Sequence, residues 1–568
     1  MEILGEDSFK VRSYRRAAES VRGLSEEVAV LREGGGLLAV PHIGKSIAGK
    51  IEELVDNGRI EYHERLKEQV PPGLLEMLKV PGMGPKKVAL VWKERGIGSV
   101  DELEAAASAG QLRELPGMGV KSEEKIVHAI GLYRQSGERA LLGDMLPTAE
   151  RIVEALRALP EALQVEYAGS TRRMRETVGD LDILATSTAP MAVIEAFRLL
   201  PSLREIIAAG ETKVSALLDI GRQVDLRVVP PESFGAALLY FTGSKDHNIT
   251  LRDRARRMGL TVNEYAVTEL LESGEEGRRV AGATEEECYA ALGLPFIPPE
   301  LREDRGEIEA AEAGNLPVLL DLRDLRCDLQ MHSEWSDGTQ PIERMAEAAR
   351  ALGYEHMGIS DHSVSLMVAH GLSPEKVAAQ HAEVAELNAA YEQAGVKFRI
   401  LHGSEVDIKS DGSLDYPPEV LDQLDLVLAS VHQGFTEDKA RMTERIVRAI
   451  SGGQVDILCH PTGRVLLGRE GYPVDIEAIV EAAVEFDVAL EVNAFPARLD
   501  LCDTHVKLAM ERGAKITINT DAHNPDQLKF MRYGVATARR GWATRDAVIN
   551  TWPLKKLMKW RKDRRRER

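Results

Sequence analysis

The sequence predicts a multidomain chain, helical at first, mixed α/β through the middle, and a β/α barrel in its C-terminal part. Three observations predict this. A phrase built on Pro and Gly recurs three times in the first 120 residues. Apolar strands carrying alternating aspartates come next. Beyond residue 320, seven apolar runs alternate with helical stretches, and nearly every run ends on His, Asp or Glu. At ~150 residues per domain, a chain of this length has room for roughly three to five domains.

Composition narrows the setting. Hydrophobic content is 44%, ordinary for a globular protein. No apolar run approaches the ~20 residues that span a bilayer, so no membrane partner is expected. MEILGEDSFK, at the start, is acidic and has no apolar stretch, so no secretory signal is expected. Cys288, Cys327, Cys459 and Cys502 lack C-x-x-C spacing. That fits a reducing compartment and argues against zinc ribbons and disulfides. A net charge of -19 argues against a nucleic-acid binder, but its distribution does not. Residues 1–140 carry 21 Lys+Arg and 22 Asp+Glu, and the stretch from Leu554 has nine basic and two acidic residues. DNA binding needs local basic clusters, not a basic whole.

The first element is the repeated phrase. VPHIGKSIAGKI begins at Val40, VPGMGPKKVALV at Val80 and LPGMGVKSEEKI at Leu115. Each reads apolar, Pro, two residues, Gly, helix. Gly44, Gly82, Gly84, Gly117 and Gly119 allow a tight turn whose free N–H groups sit at a helix N-terminus, a phosphate cradle. One copy would fit an ordinary helix connection. Three copies form the helix-hairpin-helix pattern, which grips DNA backbone without reading sequence. We assign one hairpin to a helical domain over 1–75 and two to a domain over 76–140.

The second element is GSTRRMRETVGDLDILAT, Gly169 to Thr186. Asp180 and Asp182 alternate along a strand, so both carboxylates point to one face. RQVDLRVV places Asp225 on another apolar strand. Three carboxylates on adjacent strands make a hard-oxygen site for two Mg²⁺ ions. Gly169-Ser170 and Arg173 could hold a triphosphate. D-x-D alone would fit a solvated strand; GS-x-RR before it and a third aspartate after it favour catalysis.

These residues resemble family X DNA polymerases, the polymerase beta-like group. The resemblance implies a palm over 141–232, with Asp180, Asp182 and Asp225 binding Mg²⁺ or Mn²⁺. Ser170 and Arg173 then contact the triphosphate of a deoxynucleotide, as does Arg139. YFTGSKDHN, from Tyr240, is similar to the family's thumb motif, implying a thumb over 233–300. There Tyr240 and Phe241 lie near the sugar, Gly243 in the turn, and Asn248 at the base edge. TVNEYAV, from Thr261, also matches. Gln223 stands where beta-type enzymes often carry arginine. Residues 9–55 resemble the family's small lyase domain. Lys50 falls on its Schiff-base lysine and Lys10 on a 5′-phosphate contact, but Ser46 replaces a second lysine and Phe9 a phosphate-binding histidine. Lys50 is therefore either a lyase nucleophile or a lysine touching phosphate.

Residues 301–320, acidic and Ala/Glu-rich after PFIPPE, read as a linker. Only four of 14 histidines precede residue 320. Beyond it, CDLQMHS ends on His332, HMGISDHS on Asp361-His362, LDLVLASVHQG on His432, VDILCHPTG on His460 and AKITINTDAH on Asp521-His523. FRILHGSEVDI offers Glu405, the turn after His332 offers Asp337, and VALEVNAF has no obvious ligand. Strand-then-ligand repetition predicts a barrel over 321–568 with its site at the C-terminal strand ends. Mixed N/O ligands suit Zn²⁺ or Mn²⁺, and their number implies two or three ions fit for phosphoester hydrolysis.

This region resembles the PHP (polymerase and histidinol phosphatase) family, a distorted seven-stranded barrel. The resemblance implies nine ligands, beginning H-x-H. His332, Asp337, His362, Glu405, His432, His460, Asp521 and His523 match, while Gln330 replaces the first histidine. A neutral amide oxygen ligates more weakly than imidazole, so one metal is expected to bind loosely. Together the two resemblances imply a monomeric, cytoplasmic, nucleoid-associated repair polymerase that fills gaps and trims 3′ ends. Its partners would be gapped or primer–template DNA and deoxynucleoside triphosphates. Two rivals remain: a non-catalytic DNA-binding scaffold, and a barrel acting as a small-molecule phosphatase.

Overall fold

In the hairpins, the apolar residue opening each phrase and the one before its last glycine are buried: Val40 and Ile43, Val80 and Met83, Leu115 and Met118. The later residue donates its N–H to the earlier carbonyl at 3.2, 3.0 and 3.0 Å, closing the turn. The residue between is left-handed, with φ 81° at Gly82 and 75° at Gly117. In the first copy His42 takes this conformation, φ 65°, at a cost of ~1 kcal/mol that glycine escapes. Helices Lys45–Asn57, Pro85–Arg95 and Val120–Glu138 begin directly after Gly44, Gly84 and Gly119. A Cβ on any of these three glycines would meet nothing within 4 Å, so the helix N-termini are open.

The structure, a computed structural model, describes residues 1–22, 28, 32, 36–40, 42–80, 82–273 and 275–566. Pro41 and Pro81 of the first two phrases lie outside the described residues. The chain divides into two units, Met1–Glu138 and Arg139–Arg568. No helix among the described residues is long and apolar enough to cross a membrane.

The second unit opens with a five-stranded mixed sheet in the order Ala162–Tyr167, Leu181–Ser187, Gln223–Val229, Lys213–Leu218, Leu203–Ala209. Its one parallel pairing joins Leu181–Ser187 to Gln223–Val229, the two strands that bear aspartates. Helices Leu142–Arg157 and Pro190–Arg198 supply side chains to the core beneath it. Helices Phe234–Thr242 and Lys245–Arg257 follow, with a three-stranded antiparallel sheet. The stretch 301–320, expected as a linker, is folded into this subdomain. Leu301, Ile308 and Ala311 join its core. Arg302 is fully buried, bonded to the Ile297 carbonyl and Glu285, between the rings of Tyr289 and Phe296. Its charges read as linker in sequence because the partners lie elsewhere.

Seven parallel strands then run in sequence order, from Cys327–Asp328 to Ile516–Asn519. The seam between first and last is closed largely by side chains. Asn550 donates to the carbonyls of Cys327 and Ile518 and accepts from Ile518 N–H. Asp328 accepts from Thr520. The basic helix Leu554–Arg566 packs across the strand starts rather than standing free. Trp552, Leu557 and Trp560 cap the apolar interior, and Arg564 and Arg565 pair with buried Asp456. The barrel also docks on the mixed sheet. Leu499 and Tyr533 are buried within that sheet's core. Gly143 lies so close to Pro496 that a Cβ would fall 2.5 Å away. Arg464–Glu176 and Arg532–Glu150 ion pairs flank the contact.

Candidate active sites

Asp182 and Asp225 stand opposite each other in register on the two parallel strands, with Asp180 just before the first. Burial pushes the Asp182 carboxyl up, and the charges of Asp180 and Asp225 push it further, to about 6. Burial would also raise Asp225, but Lys213 at 2.9 Å and Gln223 at 2.8 Å hold it below the usual carboxylate range. Gln223 thus steadies the third aspartate. Gly169 has φ 62°, and a Cβ there would fall 2.7 Å from Asp182 Oδ2. Only glycine lets the turn approach so closely. Crowded carboxylates, of which only Asp225 has a close ion pair, to Lys213, are a donor set suited to a divalent cation.

The other expected residues have these settings. Ser170 follows Gly169 on the short helix Gly169–Arg172. Arg173 donates from Nε to Glu303 at 2.9 Å and from Nη1 to the Thr242 carbonyl. A Cβ on Gly243 would lie 3.1 Å from that guanidinium. Tyr240 and Phe241 meet edge to face at 5.1 Å, and Asn248 donates to the Tyr240 carbonyl at 2.7 Å. Arg139 is held by Thr177. Burial and Arg175 lower its pKa, partly offset by Asp180 and Glu176, so it feels the triad's charge.

In the first unit, Lys50 Nζ donates to Ser46 Oγ at 3.1 Å and lies 5.8 and 5.5 Å from the ring centres of Tyr14 and Tyr62. Lys10 shares the Tyr62 ring and pairs with Glu6 at 2.8 Å. Phe9 is exposed. The two lysines thus share a tyrosine, which their spacing in the sequence does not reveal.

The residues expected as barrel ligands converge at the C-terminal strand ends. Three overlapping groups have donor atoms within 4.8 Å of one another: His332, Asp337, His362 and His523; His362, Glu405 and His432; His332, Glu405 and Asp521. Among the described residues these are the groups so closed; the sheet's aspartates are more open. His460 Nε2 reaches Glu405 at 2.8 Å. His332 stacks between His362 and His523 at 4.5 and 4.4 Å. Several donor atoms are buried without a hydrogen-bond partner: both nitrogens of His332, His362 Nδ1, Glu405 Oε2 and His460 Nδ1. Both amide atoms of Gln330, itself fully buried, are equally unpartnered. Unpartnered donor atoms in each of the three groups fit a cluster of divalent cations. Left-handed backbone at His460 and Asp521, φ 28° and 54°, is the strain expected where ligands are forced together.

Comparison with known proteins decides the family. The chain is 41% identical over 98% of its length to the "DNA polymerase/3'-5' exonuclease PolX" of Bacillus subtilis, covering 95% of that protein. The chain belongs to the PolX family. It matches the helix-hairpin-helix domain over 1–60, the SAM-like helix-hairpin-helix tandem over 74–131, the DNA polymerase beta thumb over 237–303 and the PHP domain over 328–494. "DNA polymerase lambda" of Rattus norvegicus is 26% identical over 52% of the chain, and 53% of that protein is covered. A "Probable phosphatase" of Shewanella sp. (strain ANA-3) is 40% identical over 27% of the chain, and 63% of that protein is covered.

The PolX barrel also uses residues that sequence reading passed over. Asp361, seen in the sequence only as a strand end beside His362, accepts from Ser333, Ser336 and Gln380, tying down the loop that carries Asp337. Asp407 bonds His432 Nδ1 at 2.7 Å, turning Nε2 toward Glu405. The run VALEVNAF, without an evident ligand, contributes Glu491, which accepts from the His460 N–H, and Asn493, which donates to Asp521. The alternation of Glu405 and Asp407 was the one visible signal. Divalent-metal dependence follows for a PolX chain with these two donor sets.

Proposed function

We propose that this chain extends DNA 3′ ends at the Asp180–Asp182–Asp225 site and trims them at the barrel cluster, filling short gaps during repair. The observation that carries the reading is Asp182 facing Asp225 in register against Gly169. Ser170, Arg173 and Arg139 would bind and orient the triphosphate of a deoxynucleotide beside that triad. Tyr240 and Phe241 would shape the sugar pocket, and Asn248 would meet the base edge after releasing the Tyr240 carbonyl. Mg²⁺ or Mn²⁺ held by the three aspartates would neutralise the triphosphate and acidify the primer hydroxyl. The open N-termini behind Gly44, Gly84 and Gly119 would hold DNA phosphates whatever the sequence.

In the barrel, Asp337, Glu405 and Asp521 with the five histidines would hold Mn²⁺, Zn²⁺ or both, which supply Lewis acidity toward a phosphodiester. Asp407 keeps His432 in one tautomer, and Glu491 and Asn493 anchor the backbone and carboxylate of other ligands. Lys50, beside Tyr14 and Tyr62, would meet a 5′-deoxyribose phosphate held also by Lys10. We place the protein in the bacterial cytoplasm, at DNA, as a monomer. The likeness of the barrel to proteins named as probable phosphatases favours a second reading, hydrolysis of small phosphate monoesters.

One preparation tests both sites. Asp182→Asn should abolish primer extension and leave 3′ trimming intact, and His432→Ala should do the reverse. Extension by Asp182→Asn at the wild-type rate would sink the polymerase assignment. Release of phosphate from a monoester, with a 3′-recessed duplex left whole, would favour the second reading.

A further inference from the structure

We infer that the barrel is part of the nucleotide pocket, and that Arg540 is a positioning residue for the triphosphate-binding Arg173. The inference rests on the polymerase reading of that pocket. Arg540 ends helix Met531–Arg540 on the barrel and is nearly fully buried. Its Nη1 donates to the Arg173 backbone carbonyl at 2.6 Å and to Glu303 Oε1 at 3.0 Å. The same Glu303 oxygen accepts from Arg173 Nε. Arg540 Nη2 is anchored in turn by Asp503 at 2.6 Å, which Arg305 also holds. The chain of contacts thus runs Asp503, Arg540, Glu303, Arg173. Its two ends lie 330 residues apart in sequence.

The arrangement is built to hold one guanidinium still. Arg173 is caught twice on its own side chain, by Glu303 and by the Thr242 carbonyl, and once on its backbone, by Arg540. Neither side-chain bond uses Nη2, which would then be the donor for a phosphate oxygen. The residue after it, Met174, is left-handed with φ 53°, so the Arg173 carbonyl faces away from an ordinary helical path and needs a donor. Gly541 makes the geometry possible. A Cβ there would strike Val506 Cβ at 2.4 Å and Asp503 O at 2.9 Å, so only glycine lets the end of the Arg540 helix press against the start of helix Asp503–Glu511. Glu303 stays ionised among Arg540, Arg173 and Arg175, which hold its pKa down against burial. A carboxylate shared by two arginines fixes both, because the planar fork of a guanidinium accepts few orientations. Neither Arg540 nor Asp503 touches the barrel's metal ligands, so this is a debt owed by the polymerase to the barrel and not the reverse.

The test uses the full chain with gapped DNA and Mg²⁺. Arg540→Met removes the donor to Arg173 and to Glu303. Loss of one hydrogen bond to a charged group corresponds to roughly a tenfold rise in KM for the incoming deoxynucleotide. The expected result is that rise with kcat within about twofold of wild type, and with exonuclease rate and DNA affinity unchanged. Asp503→Asn weakens the far anchor of Arg540, and the Arg305 pair with it, but leaves Glu303 both its arginines; it should raise KM by a few-fold. Arg540→Lys keeps the charge and should fall between wild type and Met. Wild-type KM in both Arg540→Met and Asp503→Asn would overturn the inference. So would a KM rise accompanied by parallel losses of kcat, exonuclease rate and melting temperature, which marks a merely structural residue. If wild type itself adds no nucleotide, the polymerase reading fails first, a different outcome from normal extension that ignores Arg540.

Discussion

Gln330 offers the sharpest perturbation of the barrel. It is fully buried, and neither amide atom has a hydrogen-bond partner. Leaving such a buried amide unsatisfied costs ~1–3 kcal/mol in the metal-free protein. If Oε1 faces a cation, metal binding relieves part of that cost; if not, the cost is permanent. Two substitutions separate the cases. Gln330→Leu removes both orphaned atoms, so the metal-free protein should gain on the order of 1–3 kcal/mol in a denaturant melt. It should also bind Mn²⁺ more weakly, because a ligand is gone. Gln330→His supplies an imidazole in place of a neutral amide oxygen. Partners that merely orient a ligand are worth about 10–100-fold in metal affinity, so a better ligand should be worth roughly tenfold, or about 1.4 kcal/mol. Titration calorimetry with Mn²⁺ reads the affinity directly. The Mn²⁺ concentration for half-maximal exonuclease rate should fall by the same factor, with primer extension untouched. Wild-type Mn²⁺ affinity in both variants would refute the reasoning, since residue 330 would then face no metal.

Other outcomes follow from features elsewhere. Gly84→Asp places a good helix N-cap where space is open, so stability should hold or rise by up to about 1 kcal/mol, yet gapped-DNA affinity should drop about tenfold as the carboxylate repels phosphate; unchanged affinity in a filter-binding titration would clear that hairpin of DNA contact. Borohydride should trap an adduct between wild type and a 5′-deoxyribose phosphate end but not with Lys50→Ala, and no adduct in wild type would leave Lys50 as a phosphate contact. Arg564→Met strips a partner from buried Asp456 and should cost the second unit about 3 kcal/mol in a melt, with DNA affinity unaltered; weaker DNA binding without destabilisation would restore the basic helix as a DNA contact.

Much of both sites was legible because their chemistry constrains short stretches. The hairpins show in sequence since a left-handed residue and an open helix start demand glycine within five positions, although His42 manages one turn without it. Asp180 and Asp182 show because a strand repeats every two residues. The barrel ligands show because each parallel strand ends on the same rim. What stayed hidden depends on partners far along the chain. Glu307 looks like one more acid in a linker until buried His247 is found 2.6 Å away. The basic stretch from Leu554 looks like a DNA-binding tail until Arg564 and Arg565 are found paired with buried Asp456. Asp361 resembles a ligand by position, and only its three donors reveal a scaffold.

Leu499 and Tyr533 belong to the barrel by sequence and to the mixed sheet by burial. A neighbour that lends side chains to another's interior has stopped being a passenger. Cutting the chain ahead of the barrel would not free a small polymerase; it would take two buried side chains out of its core and bare the surface at Gly143. A destabilising substitution on either side should therefore lower the abundance of both activities in the cell, since quality control disposes of whole chains. Synthesis and trimming would then rise and fall in fixed proportion, with no regulator needed to balance them.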